Sequence, residues 1–132
     1  MEETMTWHFN DNAPIYLQIV NSLQRGIASG VYPTGSRLPS VRELALEAGV
    51  NPNTMQRALS ELERTGLVCS QRTAGRFVTE DASALSQLRS TMSETIVAEL
   101  VAKLRGLGLS DGQILSAVQE WIARNHKEET QS

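Results

Sequence analysis

Two consecutive helix signals, separated by one short glycine-containing turn, constrain the fold of this chain most. Ser40 and Glu43 form the S-x-x-E pattern of a capping box. In this motif the serine oxygen accepts a hydrogen bond from a free amide at the helix start, and the glutamate side chain reaches back to the serine amide. Gly49 is typical of the left-handed residue that ends a helix. Asn51-Pro52 then places an N-cap asparagine before a proline at the first helical position. Two helices joined so closely predict a helix-turn-helix.

Apolar residues at helical spacing indicate three helices in this part of the chain, each with one buried face. The first is expected from Pro14 to Gly30, the second from Ser40 to Gly49, and the third from Pro52 to Thr65. The predicted core residues are Tyr16, Val20, Leu23, Ile27, Val41, Leu44, Ala45, Ala48, Met55, Ala58, Leu59 and Leu62. A short strand is expected at Trp7 and Phe9, which alternate with polar residues.

A short β-hairpin is expected directly after the third helix. Residues 67–71 and 76–79 have strand composition, and residues 72–75 between them contain a glycine. A hairpin at this place in a helix-turn-helix protein is a wing. Gly75 would allow a positive φ or a close approach to a sugar-phosphate chain. Cys69, on the first strand, is expected to be a small buried residue.

The remaining residues predict two helices that cannot bury their own apolar surface. One helix is expected over residues 84–104, and a second begins after Ser110 and frays from Asn125 onward. Such a pair needs a partner surface, and a second copy of the chain supplies it most simply. The alternative is that both helices fold back on the first domain. The residues expected at the dimer interface are Leu88, Met92, Ile96, Leu100, Val118 and Trp121.

Charge is distributed unevenly in a chain whose net charge is −3. Residues 36–78 contain six arginines and four glutamates, whereas residues 81–132 contain five basic and seven acidic residues. Every basic residue before position 80 is an arginine. The planar guanidinium group suits phosphates and guanine edges, so this asymmetry favours nucleic-acid binding by the first part of the chain.

Several functional classes are disfavoured by what the sequence lacks. No apolar run approaches the roughly 18 residues of a membrane span, and the first ten residues do not have the pattern of a signal peptide. The single cysteine cannot form an internal disulfide, and no Cys and His residues have metal-ligand spacing. No phosphate-binding loop, nucleophile elbow or metalloprotease motif is present. We therefore expect a cytoplasmic protein that is not an enzyme and has no cofactor.

The predicted third helix has an outer face suited to DNA. Asn53, Thr54, Gln56, Arg57 and Ser60 all carry hydrogen-bonding groups, and the acidic residues of this helix come only in its last turns. A recognition helix enters the major groove with its amino-terminal end, so this order is favourable. The alternative for Arg57 is an ordinary salt bridge with the residue four positions on, Glu61. Arg37 is expected at a phosphate, and Arg64 is expected to be solvated.

Four stretches within residues 8–79 resemble one protein family. Residues 14–19, PIYLQI, look like the opening of its first helix, and residues 35–45, GSRLPSVRELA, look like its G-x-x-L-P-S-x-R-E-L-A signature. Residues 50–63 resemble its recognition helix, and residues 75–78 resemble its G-T-F-V wing end, with arginine in place of threonine. The family is the GntR family of bacterial winged-helix transcription regulators, and the recognition helix resembles that of its YtrA-like branch.

The resemblance implies a repressor that binds DNA as a dimer. Other branches carry large effector domains, whereas the YtrA-like branch has only a short dimerising extension of two helices, which residues 83–127 fit. In the family, the arginine at the position of Arg42 contacts DNA. Together with the outer face of the third helix and the wing, this gives the expected DNA-binding residues: Arg37, Pro39, Ser40, Arg42, Asn53, Thr54, Gln56, Arg57, Arg72, Gly75 and Arg76.

The sequence thus predicts a mainly α protein with a small β wing. A winged helix-turn-helix domain over residues 1–80 would precede a helical dimerisation extension over residues 81–132. The expected function is sequence-specific transcriptional regulation by a homodimer on a near-palindromic operator of double-stranded DNA. A small-molecule effector of unknown identity stays open as a further partner, and no membrane partner is expected. The alternatives are a winged-helix protein-interaction module without DNA binding and an enzyme of unknown type.

Overall fold

The fold consists of five helices and one small antiparallel sheet. The computed structural model describes Met5 and residues 7–131, with side chains as far as His126. The elements are α1 (Ile15–Ser29), α2 (Val41–Ala48), α3 (Pro52–Arg64), β1 (Val68–Gln71), β2 (Gly75–Val78), α4 (Ala82–Gly106) and α5 (Asp111–Gln131). The predicted class, mainly α with a β wing, is confirmed.

The chain divides into two compact units between Arg89 and Ser90, inside α4. The boundary predicted between residues 80 and 81 lies between β2 and α4, and it stays a prediction. The first turns of α4 belong to the first unit, because Leu85 and Leu88 are buried there. In addition, the Arg89 Nε donates a hydrogen bond of 2.9 Å to the carbonyl of Ala28, near the end of α1.

The core of the first unit lies between α1, α2 and α3. The largest of its fully buried apolar side chains are Ile19, Leu23, Ile27, Leu44, Met55, Leu59, Leu62 and Val68. The helix ends follow the predicted chemistry with one exception among the described residues: the Glu43 carboxylate does not accept a hydrogen bond from the Ser40 amide, so only the serine half of that capping box is formed. The Ser40 hydroxyl accepts from the Glu43 amide at 3.1 Å, and the Asn51 side chain accepts from the Asn53 amide at 2.8 Å. Gly49 ends α2 with a φ of 71°. The predicted helix-turn-helix is confirmed.

The wing is a hairpin joined to the segment before α2. In its register Val68 pairs with Val78 and Gln71 with Gly75. The segment before α2 adds backbone hydrogen bonds to β2, from Leu38 to the Arg76 carbonyl at 2.8 Å and from Val78 to the Ser36 carbonyl at 2.9 Å. These bonds fix the wing beside the start of α2.

Two local predictions in the first unit were wrong. Cys69 is exposed, because β1 buries only its first residue and the rest of the strand projects outward. No strand forms over residues 7–10 of the described chain. There the Gln18 side chain bonds both backbone groups of Asn10, at 2.9 and 2.8 Å. Trp7 and Phe9 instead contact each other, with ring centroids 6.1 Å apart.

The second unit contains the rest of α4 and all of α5. Ser110 and Gln113 form a complete capping box, in which each backbone amide donates to the other side chain, at 2.8 and 3.2 Å. The backbone of α5 is helical through Gln131, and fraying from Asn125 onward stays a prediction. Among the described residues, no helix is both long enough and apolar enough to cross a membrane.

The buried position of Leu59 predicts a large stability cost for its truncation. Leu59→Ala should lower the free energy of unfolding by about 2–5 kcal/mol, because the surrounding helices cannot collapse fully onto the vacated space. Leu46→Ala is the matched control, since Leu46 is 86% exposed on α2 and its truncation should change stability by no more than about 0.5 kcal/mol. Denaturant unfolding measures both, and equal losses would contradict the described core.

Candidate nucleic-acid interface

The amino-terminal end of α2 and the wing line an open groove of about 340 Å³. Arg37 and Arg42 are exposed here, on either side of the N-cap residue Ser40. The residues that line the groove are Arg37, Leu38, Pro39, Ser40, Val41, Arg42, Gly75 and Arg76, none of which is acidic. Helix amino termini carry partial positive charge, so this groove suits an anion such as a phosphate.

Gly75 is required where the wing meets Arg37. Its φ is 102°, a backbone conformation that residues with a side chain rarely adopt. A Cβ atom at this position would lie 2.9 Å from the Arg37 Nε. A larger residue would therefore both strain the turn and displace the guanidinium group. The absence of a side chain at Gly75 thus leaves room for the Arg37 guanidinium group beside the wing.

Arg76 is bound within the chain rather than free. The Glu63 carboxylate, at the end of α3, accepts from the Ser70 hydroxyl at 2.6 Å and from the Arg76 Nε. The hydrogen bond from Ser70, and then the bond and charge of Arg76, hold the pKa of Glu63 below its ordinary value. This cluster ties both strands of the wing to α3, and it partly compensates the charge of Arg76.

The outer face of α3 presents the predicted polar residues. Asn53, Gln56 and Arg57 are exposed and Thr54 is half-buried. The Gln56 side chain donates to the Ser60 hydroxyl at 3.4 Å. The first turn of α3 contains no acidic residue. The face therefore offers hydrogen-bonding groups without a carboxylate at its leading end.

The salt bridge considered for Arg57 is not formed. Glu61 pairs with Arg64 instead, with 3.0 Å between the Arg64 Nε and Glu61 Oε2, and this pair lowers the pKa of Glu61. Arg64 is exposed as expected, but it is ion-paired. The Arg57 guanidinium carbon lies over the ring of Tyr16, 3.6 Å from its centroid.

The predicted DNA-binding residues therefore fall into three places. Arg37, Pro39, Ser40, Arg42, Gly75 and Arg76 share the groove, and Asn53, Thr54, Gln56 and Arg57 lie along α3. Arg72 is exposed at the hairpin tip. Sequence reasoning missed the Tyr16 contact and the Glu63 cluster, because these partners are far apart in the chain and no local motif links them.

The residues predicted for dimerisation differ in exposure. Ile96, Leu100 and Trp121 are exposed, the first and last by 62% and 56%, and Met92 and Val118 are half-buried. Leu88 is buried within the first unit, which leaves little of it for a partner. Further large apolar side chains that the prediction omitted are also exposed in the second unit: Val97, Leu107, Leu115 and Ile122.

No metal site accompanies this arrangement in the part of the chain that the structure describes. No three His, Cys, Asp or Glu side chains come close enough there to hold an ion.

Comparison with known proteins agrees with this geometry. Residues 15–78 match the family model described as bacterial regulatory proteins, gntR family. The chain is 35% identical to the uncharacterized HTH-type transcriptional regulator YhcF of Bacillus subtilis, over 84% of this chain and 92% of that protein. It is 34% identical to the HTH-type transcriptional repressor YtrA of the same organism, over 84% and 83% of the two chains.

A solved structure extends the similarity to the fold of most of the chain. A GntR family transcriptional regulator from Listeria monocytogenes superposes with a TM-score of 0.76 at 37% identity, covering 85% of this chain and 98% of that one. The matched residues 15–78 contain α1 to β2, the elements that build the groove and the polar face of α3. The chain therefore belongs to the GntR family of bacterial regulatory proteins and is similar, over most of its length, to the repressor YtrA.

Proposed function

We propose that this protein is a sequence-specific, DNA-binding transcriptional regulator that acts as a homodimer. The observation that carries the proposal is a set of arginines on α2, on α3 and in the wing, around a groove that no acidic residue lines. Exposed arginines on the α2 groove, on α3 and at the wing tip, with no acidic residue lining the groove, offer donors to both phosphates and bases. In this arrangement α3 enters the major groove, and the start of α2 and the wing contact the adjacent backbone.

The electrostatics of the groove support a role in positioning the protein on DNA. Arg37 and Arg42 lie beside the amino-terminal end of α2, whose free amides also donate to anions. An adaptor that binds only proteins has no need for arginines on α2, α3 and the wing together. The protein-interaction alternative therefore accounts for less of this surface than DNA binding does.

The exposed apolar side chains of the second unit support the dimer. Ile96, Leu100, Leu115, Trp121 and Ile122 are at least 40% exposed on α4 and α5. Large apolar residues at this density mark an interaction surface, and α4 and α5 of a second copy provide a matching one. Two DNA-binding units joined in this way would bind the two halves of a near-palindromic operator.

Repression and a cytoplasmic location belong to the same proposal. The similarity to a protein named as a repressor supports the direction of regulation. Operator DNA in a bacterium is reached from the cytoplasm. The chemistry assigned to this surface is binding rather than catalysis.

The groove assignment is tested at Arg42. Arg42→Ala should weaken binding to operator and unrelated duplexes alike and reduce the salt slope by about one per half-site, because this exposed residue is assigned to the phosphate backbone. The unfolding transition should not change, and a loss of about 1–3 kcal/mol confined to the operator would instead assign Arg42 to a base. Arg124→Ala on α5 is the control, since it removes an equal charge from outside the surface. Fluorescence anisotropy measures both affinities, and an unchanged affinity for Arg42→Ala would sink the assignment.

The dimer assignment is tested by truncation after Arg89, where the first compact unit ends. The shortened chain should remain folded, since it keeps Leu85 and Leu88, and it should sediment as a monomer. Its operator affinity should fall by a factor of about 10²–10⁴, because a second DNA-binding unit is no longer held close to the second half-site. A full-length monomer, or a truncated chain with full affinity, would refute the role of the second unit.

A further inference from the structure

The guanidinium group of Arg57 is held by an aromatic ring and not by a carboxylate. Its carbon lies 3.6 Å from the centroid of the Tyr16 ring, and Tyr16 is half-buried in the first turn of α1. The nearest candidate acid on the same helix face, Glu61, is occupied by Arg64. The ring is therefore the contact that determines where the Arg57 side chain lies.

This kind of contact leaves the chemistry of the arginine intact. A cation over a ring face is attracted by the π system, but the ring accepts none of the in-plane N–H hydrogen bonds. Among the described residues, no hydrogen bond or ion pair uses the Arg57 guanidinium group. Its full charge and its donors remain available to a ligand, while its orientation is restricted.

The position of the ring determines which part of DNA the arginine can meet. Arg57 is exposed on α3 with Asn53 and Ser60, but its contact with Tyr16 draws the guanidinium group toward α1. When a helix lies in the major groove, bases face the crest of the helix and phosphates line its flanks. A guanidinium group held at the α1 flank therefore faces the phosphate backbone.

We infer that Tyr16 is a positioning residue that holds Arg57 at a DNA phosphate beside the recognition helix. This inference rests on the proposed function. Holding the side chain in place reduces the rotamer entropy that is lost on binding, so the ring increases affinity without touching DNA. Because a phosphate carries no sequence information, the gain is the same for operator and non-operator duplexes.

The test is a double-mutant cycle with Tyr16→Leu, Arg57→Gln and the double variant, measured by fluorescence anisotropy. Each protein is titrated with an operator duplex, selected with the wild-type chain, and with a scrambled duplex of equal length. Tyr16→Leu should weaken binding to both by about two- to fivefold per half-site, the scale of an exposed cation–π contact. Arg57→Gln should reduce the salt slope by about one per half-site.

Two controls separate positioning from a structural role of the ring. Tyr16→Phe retains an aromatic face and should keep most of the wild-type affinity. In the Arg57→Gln background, Tyr16→Leu should have no further effect on binding, because the ring acts only through the arginine. Thermal unfolding checks that each variant is folded. Because Arg57 is exposed, Arg57→Gln should disturb the core little and is a suitable background for the cycle.

Three results would overturn the inference. An equal effect of Tyr16→Leu with and without Arg57 would assign the ring a structural role only. A loss confined to the operator duplex would place Arg57 at a base. A wild-type chain that bound neither duplex would overturn the proposed function itself, whereas failure of the inference alone leaves wild-type binding intact.

Discussion

The packing of α1 against α3 is the constraint on which the remaining structure depends. Ile19, Leu23, Leu59 and Leu62 are all fully buried, and each such side chain contributes about 1.5–3 kcal/mol when it leaves water. Because these positions fix the rotation of α3 about its axis, its polar face must turn outward. The same packing brings the start of α1 beside α3, which places Tyr16 under Arg57. The packing of the core thus determines which face of α3 is exposed and where the Arg57 side chain lies.

The wing is positioned by polar contacts together with the buried side chains of Val68 and Val78. Backbone hydrogen bonds from the segment before α2 hold β2, and Glu63 joins the end of α3 to Ser70 and Arg76. Folding lowers the pKa of Glu63, so the ionised carboxylate stabilises the folded protein. This contribution to the free energy of unfolding is fully present above the ordinary pKa of glutamate and is lost as the pH falls through the lowered pKa of the folded state. The Glu63 carboxylate is therefore the pH-dependent one of several contacts that place the wing beside α3.

Local chemistry explains which features the sequence could predict. Ser40 and Asn51 cap helices through amides two or three residues away, so their roles were readable from spacing alone, and both were confirmed. Cys69 could not be placed in the same way, because its exposure depends on how far the hairpin projects from the body. The burial of Leu88 likewise depends on how the first turns of α4 pack. Contacts between distant segments carry no sequence pattern.

The same contrast between local features and contacts of distant segments applies to the candidate site. The groove residues were predictable because they lie in one short segment and a wing turn, whereas the partner of Arg57 was not. The usual local rule, a salt bridge four residues along a helix, named Glu61, and it failed because Arg64 competes for that carboxylate. A local pair between Glu61 and Arg64 and a tertiary contact between Arg57 and Tyr16 together decided the outcome.

Footprinting of the protein on the DNA upstream of its own gene is the decisive test of sequence-specific binding by a dimer. The experiment compares this duplex with an unrelated one at two stated salt concentrations, because phosphate contacts make affinity salt-dependent. A dimer of winged helix-turn-helix units should protect two related half-sites, whose centres lie about 34 Å apart or a multiple of that distance. A single unrepeated half-site, or protection no stronger than on the unrelated duplex, would contradict this prediction.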